Sequence, residues 1–182
     1  MADLSLFDPL ILENINCSEL IRKHVRHLNF ENTEITLKIR PLSSSDYDYL
    51  VLLKQLTVVG KIDKAEFEER FSLMSSCLDT YFIVVLEDIT TSSIVGAATL
   101  LIELKFIHQC SKRGHIEDVI VDSKFRGMNF GRLLVDTLVR IGKHMGCYKI
   151  TLDCSDEKVG FYEKLGFQCK NNIMYLRFDD EN

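Results

Sequence analysis

The chain has 182 residues, the length of one domain with a short extension, and its 46% hydrophobic content with only two prolines supplies a real core. A formal net charge of −5 argues against a surface built for a polyanion, so no nucleic acid is expected as a partner, while a local basic pocket for one small phosphate stays compatible. Cys17, Cys77, Cys110, Cys147, Cys154 and Cys169 form no C-x-x-C pair and have no histidine at zinc-ligand spacing. No metal site is expected, and the cysteines read as reduced, mostly buried residues of an intracellular protein. No apolar run approaches the ~18 residues a membrane span requires. "MADLSLFDPLILENIN" lacks the basic start and cleavage site of a signal peptide, so a cytoplasmic protein is expected.

In chain order, residues 1–34 read as an N-terminal extension or docking arm, with "LFDPLIL" as its apolar knot and "ELIRKHVRHL" as a short helix. A domain follows over residues 35–182. "ITLKIRPL" (35–42) alternates like a strand and stops at Pro41. "SSSD" then offers an N-cap for a helix carrying Tyr49, Leu52, Leu53 and Leu56, broken at Gly60. Asp63 and Glu66 have capping-box spacing for a second helix, Ala65 to Cys77, with Phe67, Phe71 and Met74 on one side.

"YFIVVLED" (81–88) and "IVGAATLLIELKFIH" (94–108) read as an antiparallel hairpin, central because both runs are apolar. "QCSKRG" loops to a strand "HIEDVIVD" (115–122). A helix with Leu134, Leu138, Ile141 and Met145 at helical spacing comes next, then a strand "CYKITLDC" (147–154). "SDEKVGFYEKLGF" is a short helix capped by Ser155 or Asp156 and stopped by Gly166, and "IMYLRF" (173–178) is a closing strand. The order β-α-α-β-β-β-α-β-α-β makes a mixed α/β fold, a mixed sheet with helices on both faces.

Between Asp122 and the long helix lies "SKFRGMNFG". Orphan N–H groups and the macrodipole make a helix start attractive to anions. Gly127 permits close backbone approach, Gly131 leaves room beside the first turn, and Arg126 adds charge. Taken alone, the stretch fits an ordinary βα loop as well as a phosphate site. Gly131 is followed by Arg132 and Leu133, so the metal-binding hydroxyl of a Walker A loop is missing, and the third glycine of the dinucleotide fingerprint is missing too.

A strand, then R-G-x-x-x-G opening a helix, then a strand and "GFYEKLGF", resembles the acetyl-CoA-binding motif of the GNAT N-acetyltransferase superfamily. "LTVVG", "KFIH", "GHIEDVIV", "GCYKITLDC" and "VGFYEKLGF", in that order, resemble the eukaryotic glucosamine 6-phosphate N-acetyltransferases, over about residues 36–178. Asn129 departs from the superfamily's usual glycine. The resemblance implies a GNAT-type acyl-CoA N-acyltransferase fold with a mostly antiparallel sheet and acetyl-CoA as co-substrate. The CoA pyrophosphate would then be held by Arg126, Gly127, Met128, Asn129, Phe130, Gly131 and Arg132, and the pantetheine arm by Val119, Ile120 and Val121.

The same resemblance makes the Val119 N–H the donor to the acetyl oxygen as it gains charge, and places Tyr162 near the CoA sulfur as donor to the leaving thiolate. On spacing alone, Tyr162 is a buried aromatic anchor. Reference pKa values of about 10 for tyrosine and about 8.5 for a thiol make full proton transfer uphill by roughly 2 kcal/mol, which favours a hydrogen bond. Asp153 is the nearest candidate to take the amine's proton, through its carboxylate, its carbonyl or a water. Cys154, with no partnered histidine nearby, reads as packing.

For glucosamine 6-phosphate, the matching positions are Thr57, Lys105, Phe106, Ile107, His108, Glu117, Asp118, Val119, Tyr148, Lys149, Asp153 and Arg177. Cations among them suit a 6-phosphate. Glu117 and Asp118, being adjacent on a strand, are expected to point to opposite faces. By the same resemblance the closing strand reaches a partner subunit, giving a homodimer whose active sites are completed across subunits. Two other readings stay open: acetylation of a peptide or polyamine amine, and a CoA-binding regulatory module without turnover.

Overall fold

The computed structural model describes residues 3–24, 29–30, 33–176 and 178. It divides into two compact units, Met1–Leu152 and Asp153–Asn182. The first is built on a five-stranded sheet in the order β3-β4-β5-β6-β7. Its strands are β3 (Leu37–Pro41), β4 (Tyr81–Asp88), β5 (Ser93–Leu104), β6 (Lys112–Val121) and β7 (Cys147–Leu152). All neighbours are antiparallel except β6 and β7, which are parallel, as a strand–helix–strand crossover requires. A small two-stranded sheet, β1 (Asn29–Phe30) with β2 (Thr33–Glu34), precedes it.

Successive strand residues face opposite ways, and each face has its own cover. α6 (Phe130–His144) lies on one face and buries Leu133, Leu134, Val135, Leu138 and Ile141. Contact there is close. A Cβ on Gly142 would meet the Ile150 side chain at 2.7 Å, and one on Gly114 would meet Leu100 at 2.9 Å. On the other face, α3 (Tyr49–Leu53) and α4 (Lys64–Ser76) pack Tyr49, Leu52, Phe67 and Phe71 with Ile83, Val85, Ala97 and Ile120.

The expected capping box is present: Asp63 Oδ1 accepts from Glu66 N at 2.9 Å and Glu66 Oε2 accepts from Asp63 N at 2.8 Å. The cap expected from "SSSD" is not. Asp46 takes two hydrogen bonds from the Arg40 guanidinium, at 2.6 and 2.9 Å, and another from Ser43 N at 2.7 Å. Such charge-assisted paired bonds outcompete a helix cap, so α3 begins later, at Tyr49, after Asp48, with no side-chain cap.

The N-terminal segment is joined to the same unit's core. α1 (Leu10–Asn14) and α2 (Cys17–His24) bury Leu12, Cys17 and Leu20, and Leu6 belongs to the α3/α4 cluster. Leu6 N donates to Leu42 O at 2.8 Å, and Arg140 on α6 donates to Ile15 O at 3.0 Å. The helix expected through residue 28 is present as far as His24; residues 25–28 lie outside the described residues.

The second unit holds α7 (Asp156–Glu163), opened at Ser155 without a side-chain cap and closed by Gly166 at φ 90°. The expected closing strand does not form: Ile173–Leu176 and Phe178 are irregular and exposed, and Arg177 lies outside the described residues. A strand needs a neighbour's edge, which this segment's own alternation does not provide. The long strand expected over 94–108 ends at Leu104. Burial of the cysteines is likewise the minority case: Cys17 is buried, Cys147 is partly buried, and Cys77, Cys110, Cys154 and Cys169 are exposed.

Candidate active site

The β6–β7 pairing stops at Ile116↔Leu152, although β6 runs on to Val121. Across the sheet, Thr99 pairs with Glu117 and Ala97 with Ile120, so Asp118 and Val119 together oppose the single residue Ala98. This is a β-bulge, and Asp118 takes the left-handed conformation at φ 51° that it needs. Just past the point where β6 loses β7 as a neighbour, its register with β5 is therefore also interrupted, and it resumes at Ile120. Val119 sits at that point without a register partner on either side.

The charge at the bulge is felt on the α3 side of the sheet. Tyr49, on the α3 side, feels the Asp118 carboxylate, and Thr99, which pairs with Glu117, lies against the same Tyr49. Burial pushes the Tyr49 phenol far up, with Asp118 adding to it. Partial burial also raises the Asp118 carboxyl, although the residue as a whole is exposed.

β6 leads through a single 3-10 turn (Ser123–Phe125) to α6. The acid ending the strand is a structural pin: Asp122 Oδ1 accepts from Lys124 N at 2.9 Å, and Oδ2 accepts from Gln55 Nε2 at 3.0 Å. Gln55 in turn accepts from Ser123 N at 2.9 Å, tying the loop after α3 to the loop before α6. Gln55 carries no motif of its own, and only the fold reveals its place.

Asn129 is the N-cap of α6 at φ 62°, and its side chain makes no cap bond. That explains the departure from glycine, because the position needs a left-handed residue and asparagine tolerates this best after glycine. Gly127, at φ 83°, has nothing within 4 Å of where a Cβ would stand. Leu133 N already donates to Asn129 O at 3.0 Å, so the earlier first-turn N–H groups are the ones left for an anion. Phe130 is buried and stacked on Phe125 at 6.0 Å, and Ile120 is buried too, so both can serve a ligand only through their backbones. Arg126 is exposed; Met128, Gly131, Arg132, Val119 and Val121 are partly so. This helix start suits a diphosphate.

The "KFIH" stretch is a turn. α5 (Ile107–Cys110) carries His108, Gln109 and Cys110 at φ 52°, 60° and 56°, left-handed residues that explain why β5 stops before it. The His108 ring lies 4.5 Å from that of Tyr148, and Lys149 Nζ is 5.4 Å from the Tyr148 ring centroid. Lys105 is ion-paired with Glu103, whose carboxyl it holds below the usual range, and Arg113 Nη2 stands 3.7 Å from Glu103. Arg113 pairs in register with Lys149. It was hidden from sequence reading because β6 begins at Lys112, inside the stretch that reads as a loop. Phe106 is 96% exposed, and Thr57 is an exposed loop residue whose N–H donates to Leu53 O at 3.1 Å.

In the second unit, Tyr162 packs edge-on against Phe161 and Phe167, with ring centroids 5.0 and 6.0 Å away. Burial, then the nearby Cys154, push its phenol up. It therefore keeps its proton at neutral pH and can donate it. Burial and the neighbouring Cys169, Asp153 and Asp156 raise the Cys154 thiol, the opposite of what a thiolate nucleophile needs. Asp153 is exposed.

Together, the bulged strand, the interrupted pairing and the left-handed helix cap define an acyltransferase scaffold. Residues 47–167 match the model of the Acetyltransferase (GNAT) family, and the chain belongs to that family. More narrowly, it is 40% identical over 181 residues to a Drosophila melanogaster protein described as "Probable glucosamine 6-phosphate N-acetyltransferase", covering 96% of this chain and 82% of that one. The crystal structure of glucosamine-6-phosphate N-acetyltransferase from Arabidopsis thaliana is similar with a TM-score of 0.77 and 45% identity, over 79% of this chain and 99% of that chain. A Trypanosoma brucei acetyltransferase structure follows at TM-score 0.75 and 35% identity, covering 79% and 100%.

Proposed function

We propose that the protein transfers the acetyl group of acetyl-CoA to the amine of glucosamine 6-phosphate, giving N-acetylglucosamine 6-phosphate and CoA, by direct attack in a ternary complex. The observation that carries this is the interruption of the sheet at Val119, on the strand that leads to the α6 start, where no side chain caps the helix, in a chain whose 40–45% identical relatives are named for that reaction.

The first-turn N–H groups of α6, with Arg126, hold the pyrophosphate, and β6 from Val119 to Val121 lies along the pantetheine arm. Val119 N–H stabilises the acetyl oxygen as it becomes negative, and a preformed donor there costs no reorganisation during reaction. Tyr162 donates a hydrogen bond to the departing sulfur; its raised pKa makes a free tyrosinate still harder to form. Asp153 receives the amine's proton, directly or through water. Lys105, His108, Lys149 and Arg177 receive the sugar phosphate, Thr57 and Tyr148 frame it, and Glu117 and Asp118 receive hydroxyls and the amine. The product feeds UDP-N-acetylglucosamine synthesis in the cytoplasm.

The active form is a homodimer. Leu104, Phe106 and Ile107 around the "KFIH" turn are 80%, 96% and 61% exposed, an apolar surface a second copy would cover and so complete the site. A fully active monomer in light scattering contradicts this part. The reaction itself is tested by thiol release from acetyl-CoA. Release that depends on glucosamine 6-phosphate, and stays at background with glucosamine, a peptide amine or a polyamine, is the expected result; release with any of those three instead overturns the assignment.

A further inference from the structure

We infer that His115 is a positioning residue for Glu117, acting from the β6–β7 strand pair. His115 and Glu117 are two apart on β6 and share a face. Thr151 lies directly across from His115 in the parallel β6–β7 register, on the last pair but one before that pairing ends. The ring spans the two. Its Nδ1 is 2.9 Å from Thr151 Oγ1, and its Nε2 is 3.6 Å from Glu117 Oε1. The histidine side chain is 14% exposed and the glutamate 50%, so a covered ring backs a carboxylate that faces outward at the edge of the bulge.

The electrostatics decide which nitrogen carries the proton. An unprotonated Nε2 would set its lone pair against a carboxylate, which is repulsive. Nε2 therefore bears hydrogen, and the Thr151 hydroxyl donates to Nδ1 in the neutral ring; its 3.4 Å approach to Gly114 O is the longer of its two contacts. At 3.6 Å the Nε2–Oε1 pair is an electrostatic contact that a torsion of the exposed Glu117 closes into a hydrogen bond. Glu103 on β5 is a further charge that the ring feels, and Arg113 of β6 stands 3.7 Å from Glu103. Thr151 thus sets the ring, the ring sets the carboxylate, and the carboxylate meets the substrate. The last link rests on the reading of Glu117 as a sugar-binding residue given above.

The test is a double-mutant cycle on the full-length protein, measured as thiol release at varied glucosamine 6-phosphate and read beside nitrogen-15 shifts of the His115 ring. His115→Leu is expected to lower kcat/KM for the sugar about tenfold, the size of one hydrogen bond to a charged group, and to leave the KM for acetyl-CoA unchanged. His115→Gln, which keeps an N–H near the Nε2 position, retains most of the activity. In a Glu117→Gln background, His115→Leu costs nothing further. Thr151→Val removes the partner of Nδ1 with little change of shape and lowers kcat/KM in the same direction. Losses that multiply in the double variant, or full activity in His115→Leu, overturn the proposal, and so does a ring protonated on Nδ1 with Nε2 bare. Absence of sugar-dependent release by the wild-type protein overturns the proposed function instead, and the ring shifts tell the two failures apart.

Discussion

The two faces of the sheet are made from alternate residues of the same strands and have opposite characters. Under α6, side chains are buried and, Thr137 apart, apolar, and a methyl on Gly114 or Gly142 would press on the Leu100 or Ile150 side chain. On the reverse face, α3 and α4 cover β4 and the near half of β5. Beyond them Glu103, Arg113, His115, Glu117 and Lys149 are only partly covered or exposed. The α6 face holds the fold and the reverse face is where chemistry can be placed without loss of the core, because burying those charges unpaired would be costly.

That division predicts four outcomes. Leu138→Ala, at a fully buried position under α6, should cost about 2–5 kcal/mol in urea unfolding while the remaining folded protein turns over normally; lost turnover at unchanged stability would break the contrast. Glu117→Gln should do the reverse, leaving the thermal midpoint in place and lowering kcat/KM for the sugar roughly tenfold or more. Asp63→Ala, which removes the α4 capping box at an exposed helix end, should cost about 1 kcal/mol of stability, with no change in the KM of either substrate.

Asp118→Asn should have the smallest effect on stability, and its sign depends on pH. Burial raises the folded carboxyl's pKa, so the folded state holds that proton more tightly than the unfolded chain does. The contribution is fullest below the ordinary value of 3.8 and is lost as pH rises through the folded value. At neutral pH the ionised carboxylate is a small liability, damped by exposure. Asparagine, also tolerant of φ 51°, should raise the thermal midpoint slightly at neutral pH and leave it unchanged in acid. A gain that grows toward acid pH would reverse the assignment.

Much of the fold was legible in the sequence because it rests on local patterns. The Asp63–Glu66 box, the β4–β5 hairpin and the periodicity of α6 each lie within one stretch of chain. What was not legible depends on register between distant strands. The bulge exists because β5 and β6 pair with one residue in excess, and nothing in "GHIEDVIV" marks Asp118 as left-handed. Thr151 meets His115 only once β7 lies parallel to β6, a pairing that neither stretch of sequence announces. The "KFIH" stretch reads as strand, yet three left-handed residues that begin at its last position, His108, Gln109 and Cys110, turn the chain. In the candidate site, the RGMNFG loop was visible as a motif, and the reason for Asn129 was not, since a φ value leaves no trace in composition.

The account depends most on the start of α6 holding the diphosphate of an acyl-CoA. Titration calorimetry of the full-length protein with CoA and with acetyl-CoA addresses this directly. Saturable heat at one ligand per chain, weakened by a charge-reversing Arg126→Glu, is the predicted result. Folded protein that gives no heat with either ligand would contradict the account at its centre.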